Sequence, residues 1–415
     1  MKNCIVISML SVYFCFFSCR KTSTEPDDNT STIGYQKEIH WPTLADSPWP
    51  MFQQNPQGTG RSRFMGPQKG IISKTINLDS GSDLSFIVTD NNKNYYCAIG
   101  NYWADSTGRT DAYLFSYDFQ GNQNWYVNID GRELFSSPLI DKNGVVFIGS
   151  TEGIFYAVNS NGSLKWAFDA GFPITSGYGG ATIGLDGTIY FSTRNALNAI
   201  SQEGQLLWLK SEYGDTPIVL SPDGSTLYVK HISEGLDALD LNGNLMWQFH
   251  FSTESWMFHP IVDSNGRIYL FTDRNTVTVI DNNGKLEWQF SINQYMQFEN
   301  DNIDQTTAPT LDKLGNFYFT TRDDLYSIDY SGELRWIIRG MGSAGSPLLC
   351  DNDDNIYLTK ALGGDIFSIS KKGILNWKIN LNCSEMITCS PAICSDSKLI
   401  IMTNYNNKSL LYFIE

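Results

Sequence analysis

The chain is short of positive charge and of histidine. Its 29 Lys and Arg stand against 44 Asp and Glu, a formal net charge of −15, and four histidines serve 415 residues. Nucleic-acid binding needs clustered cations to displace counterions from phosphates, and docking on an acidic lipid surface needs a polybasic segment; the sequence holds neither. It contains no Cys-x-x-Cys pair, no two adjacent cysteines, no Gly-x-Ser-x-Gly elbow and no phosphate-cradling glycine loop. No long helical periodicity runs through it either. Its longest apolar stretch, Ile5 to Phe17, is thirteen residues, too short to span a bilayer as a helix but suited to the core of an export signal.

The apolar stretch ends at Phe16-Phe17-Ser18-Cys19, a small residue directly before a cysteine, which resembles a bacterial lipoprotein cleavage site. Residues 1–18 are therefore expected to be a lipoprotein signal peptide, with Cys19 the lipidated first residue of the mature chain. The alternative is an ordinary secretory signal in which Cys19 has no role. Residues 19–47 are largely polar and are expected to be a flexible tether. Beyond Cys19 the cysteines are Cys97, Cys350, Cys383, Cys389 and Cys394. Cys383 and Cys389 bracket one expected loop and are the candidate disulfide, whereas Cys350 and Cys394 read as buried small hydrophobes.

A repeat organises the rest. A glycine is followed four residues later by tryptophan at Gly121/Trp125, Gly162/Trp166, Gly204/Trp208, Gly243/Trp247, Gly284/Trp288, Gly332/Trp336 and Gly373/Trp377, and successive tryptophans lie 39 to 48 residues apart. A period in that range marks a repeat architecture. Residues 137–170 show the unit: four short strands rich in β-branched and aromatic residues, joined by Asn-Gly or Asp-Gly type turns. The unit can be read eight times. A lone four-stranded sheet leaves both edges open, and setting such sheets radially around an axis buries their faces. The expectation is an all-β, eight-bladed propeller of antiparallel four-stranded blades. Its last unit lacks an outer strand, which Ile71–Leu78 is expected to supply. The tryptophan at the start of each outer strand is expected to dock across to the next blade.

The phrase resembles the tryptophan-docking repeat of the pyrroloquinoline-quinone-like eight-bladed propellers. Trp49-Pro-Met-Phe52 and Thr59-Gly-Arg-Ser62 resemble the segment that precedes the blades in exported members, so the likeness covers residues 48–415. The quinone-dependent dehydrogenases of that family carry vicinal cysteines, a calcium cage and a catalytic aspartate. This sequence has no vicinal pair and shows no matching cage. The expectation is accordingly no catalytic residue, no cofactor and no metal, with quinone-linked oxidation as the minor alternative. The aspartate-rich turns at Asp141, Asp263 and Asp351 lack the distal glutamate of a calcium loop and are expected to be plain turns. Outer-membrane assembly lipoproteins of the same fold are similar in anchor and blade plan. That likeness implies a monomeric scaffold in the cell envelope, anchored to the outer membrane by its lipid alone.

Strand order sends the blade-to-blade connections and the middle hairpins to one side. That side gathers Tyr102, Trp103, Trp256, Met257, Tyr295 and Phe298, with Glu299, Asp301 and Asp304 around them. His259, which precedes a proline at the start of an inner strand, is expected near the axial channel and joins this candidate ligand face. Two readings of the aromatics stand side by side. They recognise a protein partner, or in the alternative a glycan or peptide, or they plug the channel mouth.

Overall fold

Eight antiparallel sheets form a ring of blades in a computed structural model. The described residues are 33–415, apart from 79–83, 101–111, 130–135, 175–179, 232–234, 252–258, 299–300, 305–306, 343, 382–388 and 406–407. Blade 4 shows the pattern, with strands Ile218–Leu220, Thr226–Lys230, Leu236–Asp240 and Leu245–Phe249 running from the axis outward. The three inner strands are buried almost throughout, and the outermost alternates between exposed and half-buried residues. Both faces of an inner strand are covered by neighbouring blades, so inner strands read as continuous apolar runs, while the outer strand meets solvent.

Two kinds of turn recur. Between third and fourth strands, Asp240 Oδ1 accepts from the backbone N–H groups of Asn242 and Asn244 at 2.9 and 2.8 Å, and Gly243 takes a left-handed φ of 76°. Between first and second strands the aspartates are buried. Asp351 Oδ1 accepts from Asp353 and Asn355 N–H at 2.9 and 2.8 Å, and Asp312 and Asp141 do the same in their turns. These carboxylates spend their acceptor capacity on turn backbone, which is what a short aspartate loop needs.

Each outer-strand tryptophan lies opposite a small or β-branched partner, for example Trp247 opposite Ala238 and Trp336 opposite Ser327. A bulge immediately before the turn sets this register. The indole leans onto the turn glycine of the next blade, and its N–H donates to a carbonyl there. Trp125 reaches Ser160 O at 2.8 Å, Trp166 reaches Gln202 O at 2.8 Å and Trp208 reaches Leu241 O at 2.9 Å. Trp247 bonds Asn282 O at 3.1 Å, Trp288 bonds Tyr330 O at 3.2 Å and Trp336 bonds Lys371 O at 3.1 Å. Trp377 completes the series outside the blades, resting on Gly70 and donating to Pro67 O at 2.9 Å.

The ring closes where the ends of the domain meet. Ile72–Leu78 pairs antiparallel with Lys408–Ile414 as the outer strand of blade 8. It has no tryptophan, and Ile76 takes the place against Gly121 of blade 1. Just before Ala392–Ile393, the innermost strand of blade 8, the short strand Cys389–Ser390 pairs in parallel with the first strand of blade 1, so the chain of blade 8 also bonds its neighbour near the axis.

The packed body begins well before residue 48, where the sequence suggested that the tether ends. Gln36, Trp41, Thr43, Leu44, Ala45 and Ser47 are buried, and Trp41 Nε1 donates to Ile183 O at 2.7 Å. Trp41, Leu44 and Ala45 supply apolar surface that a polar tether would lack. Residues 33–415 thus make one compact unit, and residues 1–32, including Cys19, lie outside the described residues.

Candidate functional site

Strands alternate in direction along each blade. The first-to-second and third-to-fourth turns therefore emerge on one side, the turn face. The second-to-third hairpins and the blade connections emerge on the other, the loop face. Between residues 47 and 66 the lead-in chain runs round the axis at the turn side and bonds the innermost strands in succession. Trp49 O accepts from Thr89 N–H at 2.8 Å and Pro50 O from Ile140 N–H at 2.9 Å. Pro56 O accepts from Leu220 at 2.8 Å, Gln57 O from Val262 at 2.9 Å, Thr59 O from Leu311 at 3.3 Å and Gly60 O from Cys350 at 2.8 Å. The inner strand edges would otherwise leave buried N–H groups without acceptors, so this circuit satisfies the axis and closes it together.

His259 belongs to this closure and not to an exposed ligand face. Its ring packs 5.5 Å from Phe52, it is 7% exposed, and burial pushes its pKa down to about 4. Beside it remains a cavity of about 30 Å³ bounded by Met51, Phe52, Gln53, Pro217 and Val219. Desolvation favours the neutral imidazole here, which suits a packing residue better than an acid–base catalyst.

On the loop face the connection after blade 5 is the best-described part. Ile292 and Ile303 are buried and fix its two ends, with Ile303 N–H donating to Arg274 O at 2.7 Å. Tyr295 folds back, its ring stacked on Phe290 at 5.5 Å, and its carbonyl accepts from Arg339 Nη2 at 2.8 Å. Asp301 is buried, takes the N–H of Asp323 at 3.2 Å, and has its carboxyl pKa raised by desolvation. Phe298, between these fixed points, stands 63% exposed. The structure thus separates two aromatics that the sequence grouped: Tyr295 supports the loop, and Phe298 is presented by it. Tyr102, Trp103, Trp256, Met257 and Glu299 lie outside the described residues. Cys383 does as well, while Cys389 is buried.

One recurrent set of residues went unnoticed in the sequence. In four blades the buried turn aspartate accepts from a tyrosine six residues later: Tyr96 to Asp90 at 2.9 Å, Tyr269 to Asp263 at 3.4 Å, Tyr318 to Asp312 at 2.7 Å and Tyr357 to Asp351 at 2.8 Å. Each tyrosine ring packs 5.7 to 6.0 Å from the docking tryptophan of its own blade. The Asp-x5-Tyr spacing was the available signal. It links the axial turn to the outer dock, and it accounts for these aspartates without a bound ion.

A bound quinone with its calcium would need convergent oxygen ligands and a roomy pocket. Among the described residues, no group of three or more His, Cys, Asp or Glu is placed to hold a metal ion. The axial cavity beside His259 is far below the several hundred cubic ångströms typical of ligand pockets. The axis beside His259 therefore lacks room for that cofactor.

Known proteins share the architecture. The family model described as outer membrane protein assembly factor BamB matches residues 193–345. No curated protein matches the chain. The crystal structure of BamB from Moraxella catarrhalis is similar, with a TM-score of 0.63 and 14% identity over 83% of this chain and 99% of that one. A europium-containing methanol dehydrogenase is similar at a TM-score of 0.68 and 11% identity, covering 93% of this chain and 100% of that one. The quinohemoprotein alcohol dehydrogenase from Comamonas testosteroni gives 0.64 and 11%, covering 89% and 81%. At such identities the likeness is one of fold, common to an assembly factor and to oxidoreductases. The chain is an eight-bladed propeller that resembles BamB in fold, with the family likeness carried by residues 193–345.

Proposed function

We propose that this propeller is a non-catalytic binding module of the cell envelope that captures a protein partner through its loop face. Cys19 carries the lipid that holds it at the outer membrane. The observation that carries the reading is Phe298: a large apolar side chain held out in solvent by a connection anchored at the buried, bonded Ile292 and Ile303. Exposed aromatics on firmly positioned loops are the usual anchors of recognition. The lead-in circuit supports the same reading from the other side, because it fills the turn end of the axis. The BamB-like resemblance agrees with a scaffold role and with the envelope as the location.

Quinone-dependent oxidation is the second reading, favoured by the two dehydrogenases among the similar structures. Two experiments on the same preparation separate the readings. Affinity capture from envelope extract should retain a defined protein with the parent chain and lose it with Phe298→Asp, at an unchanged unfolding midpoint. Addition of pyrroloquinoline quinone and calcium should produce no bound chromophore and no dye-linked alcohol oxidation. A chromophore with turnover, or capture indifferent to Phe298, would reverse the assignment. Cys19→Ser should move the folded protein out of the membrane fraction, and unchanged membrane association would remove the lipid anchor from the proposal.

A further inference from the structure

The turn face carries a cleft that the loop-face reading does not use. Residues 35–47 cross this face as a strap from blades 5 and 6 to blades 3 and 2. Gln36 N–H donates to Lys313 O at 2.9 Å at one end, and Thr43 Oγ1 donates to Gly184 O at 2.7 Å near the other. Between the strap and the lead-in chain at 50–63 lies a cavity of about 200 Å³. Arg63 clamps the strap through ion pairs to Glu38 and Asp46.

The charges of the cleft can be assigned one by one. The Arg63 cation is engaged by two carboxylates. Asp354 holds Lys371 at 2.7 Å and the backbone N–H of Lys313 at 3.0 Å. Asp351 is buried and occupied by its own turn, by Tyr357 and by the Gly66 N–H. Three cations remain, Lys37, Arg61 and Lys313, and among the described residues none of them has a carboxylate partner. They gather at one end. Arg61 Nη1 and Nη2 reach only the carbonyls of Gln36 and Lys37, both at 3.4 Å, and the Lys313 ammonium lies over the Tyr35 ring at 5.7 Å. The lining as a whole carries four cations, Lys37, Arg61, Arg63 and Lys313, against four carboxylates, Glu38, Asp46, Asp351 and Asp354, and this even balance departs from a chain of net charge −15. Next to them Gln54 lines the cavity in a left-handed conformation, φ 72°, with its side-chain amide unengaged among the described residues. A non-glycine residue at such a φ is strained and is retained where its surroundings impose it.

We propose that this cleft binds a compact, hydroxyl-bearing organic carboxylate, such as a sugar acid, with Arg61 as the bidentate partner and Lys37 and Lys313 flanking. A planar guanidinium fork matches a carboxylate in two parallel hydrogen bonds. A single negative charge suits the cleft better than a phosphate dianion, because Glu38 and Asp46 stand on its rim. The Gln54 amide provides a neutral contact for hydroxyl groups. The site is independent of the loop-face reading and lies on the opposite side of the ring.

Titration calorimetry of the full chain tests it with glucuronate, glucose and inorganic phosphate as probes. Glucuronate should give saturable heat, glucose none, and phosphate should not displace glucuronate. Arg61→Gln should weaken glucuronate at least tenfold. Because Arg61 also contacts the strap, the pair Lys37→Gln and Lys313→Gln serves as the second variant, and it should weaken binding similarly while the unfolding midpoint stays in place. Absence of glucuronate heat, binding that survives both variants, or equal binding of glucose would overturn the site. Displacement by phosphate at equal concentration would overturn the assignment to carboxylates.

Discussion

His259 is where a single residue most clearly reports the construction of the axis. Its folded pKa, pushed down to about 4 by burial, lies below the ordinary value of 6.5. Between those two pH values the unfolded chain takes up a proton that the folded chain refuses. Stability therefore falls as pH drops from about 6.5 to about 4, by at most about 3 kcal/mol, and is insensitive to this group above that window. His259→Gln should flatten that part of the profile relative to the parent, measured as denaturant midpoints from pH 7 to 4. The difference between the two proteins isolates the histidine, since desolvated carboxyls such as Asp263 and Asp301 titrate with the opposite sign and are common to both. Parallel profiles would mean that the imidazole is hydrated and that Phe52 does not seal it.

At the scale of the element, the unit of cohesion is the tryptophan–glycine dock between blades. The indoles of Trp247 and Trp288 are half-buried, so truncation removes less than a core aromatic would. Trp247→Ala should cost about 2–3 kcal/mol, the area-based expectation for half an indole. A β-carbon on Gly284 would lie 2.8 Å from the Trp247 ring, and the φ of 77° is left-handed. Gly284→Ala should therefore cost about 2 kcal/mol, but only about 1 in the Trp247→Ala background, where the backbone strain alone remains. Denaturant unfolding of the double-mutant cycle measures that coupling, and strict additivity would mean that the two residues do not meet. Much of this was legible in the sequence, because each Gly-x3-Trp phrase is local and repeated. The Asp90–Tyr96 and Asp351–Tyr357 links were not read, because both partners are unremarkable alone: an aspartate in a turn and a tyrosine in a strand. The end of the tether was misjudged for a similar reason. Trp41 and Leu44 are isolated apolar residues in a polar stretch, and only the surface beneath them makes them core.

At the scale of the whole molecule, closure joins the first and last strands of the domain, so loss of either strand should loosen the whole ring and not one blade alone. The sequence gives that closure away by arithmetic, since eight units lacking one outer strand leave Ile72–Leu78 without another place. It does not give away the lead-in circuit, whose bonds run from backbone carbonyls of residues 49–60 and carry no side-chain signature. Nor does it disclose the cleft under the strap, because Lys37, Arg61 and Lys313 converge only after folding. The consequence for function is an asymmetry between faces: one is covered by strap and lead-in, and the other presents Phe298. Site-specific photo-crosslinking in intact cells tests this most directly, with the reactive group at position 298 on the loop face or at Asn283 in an exposed turn on the other. Position 298 should trap one defined envelope protein, and position 283 should leave it uncaptured. Trapping of the same protein from position 283 but not from 298 would contradict the account and place the partner on the turn face.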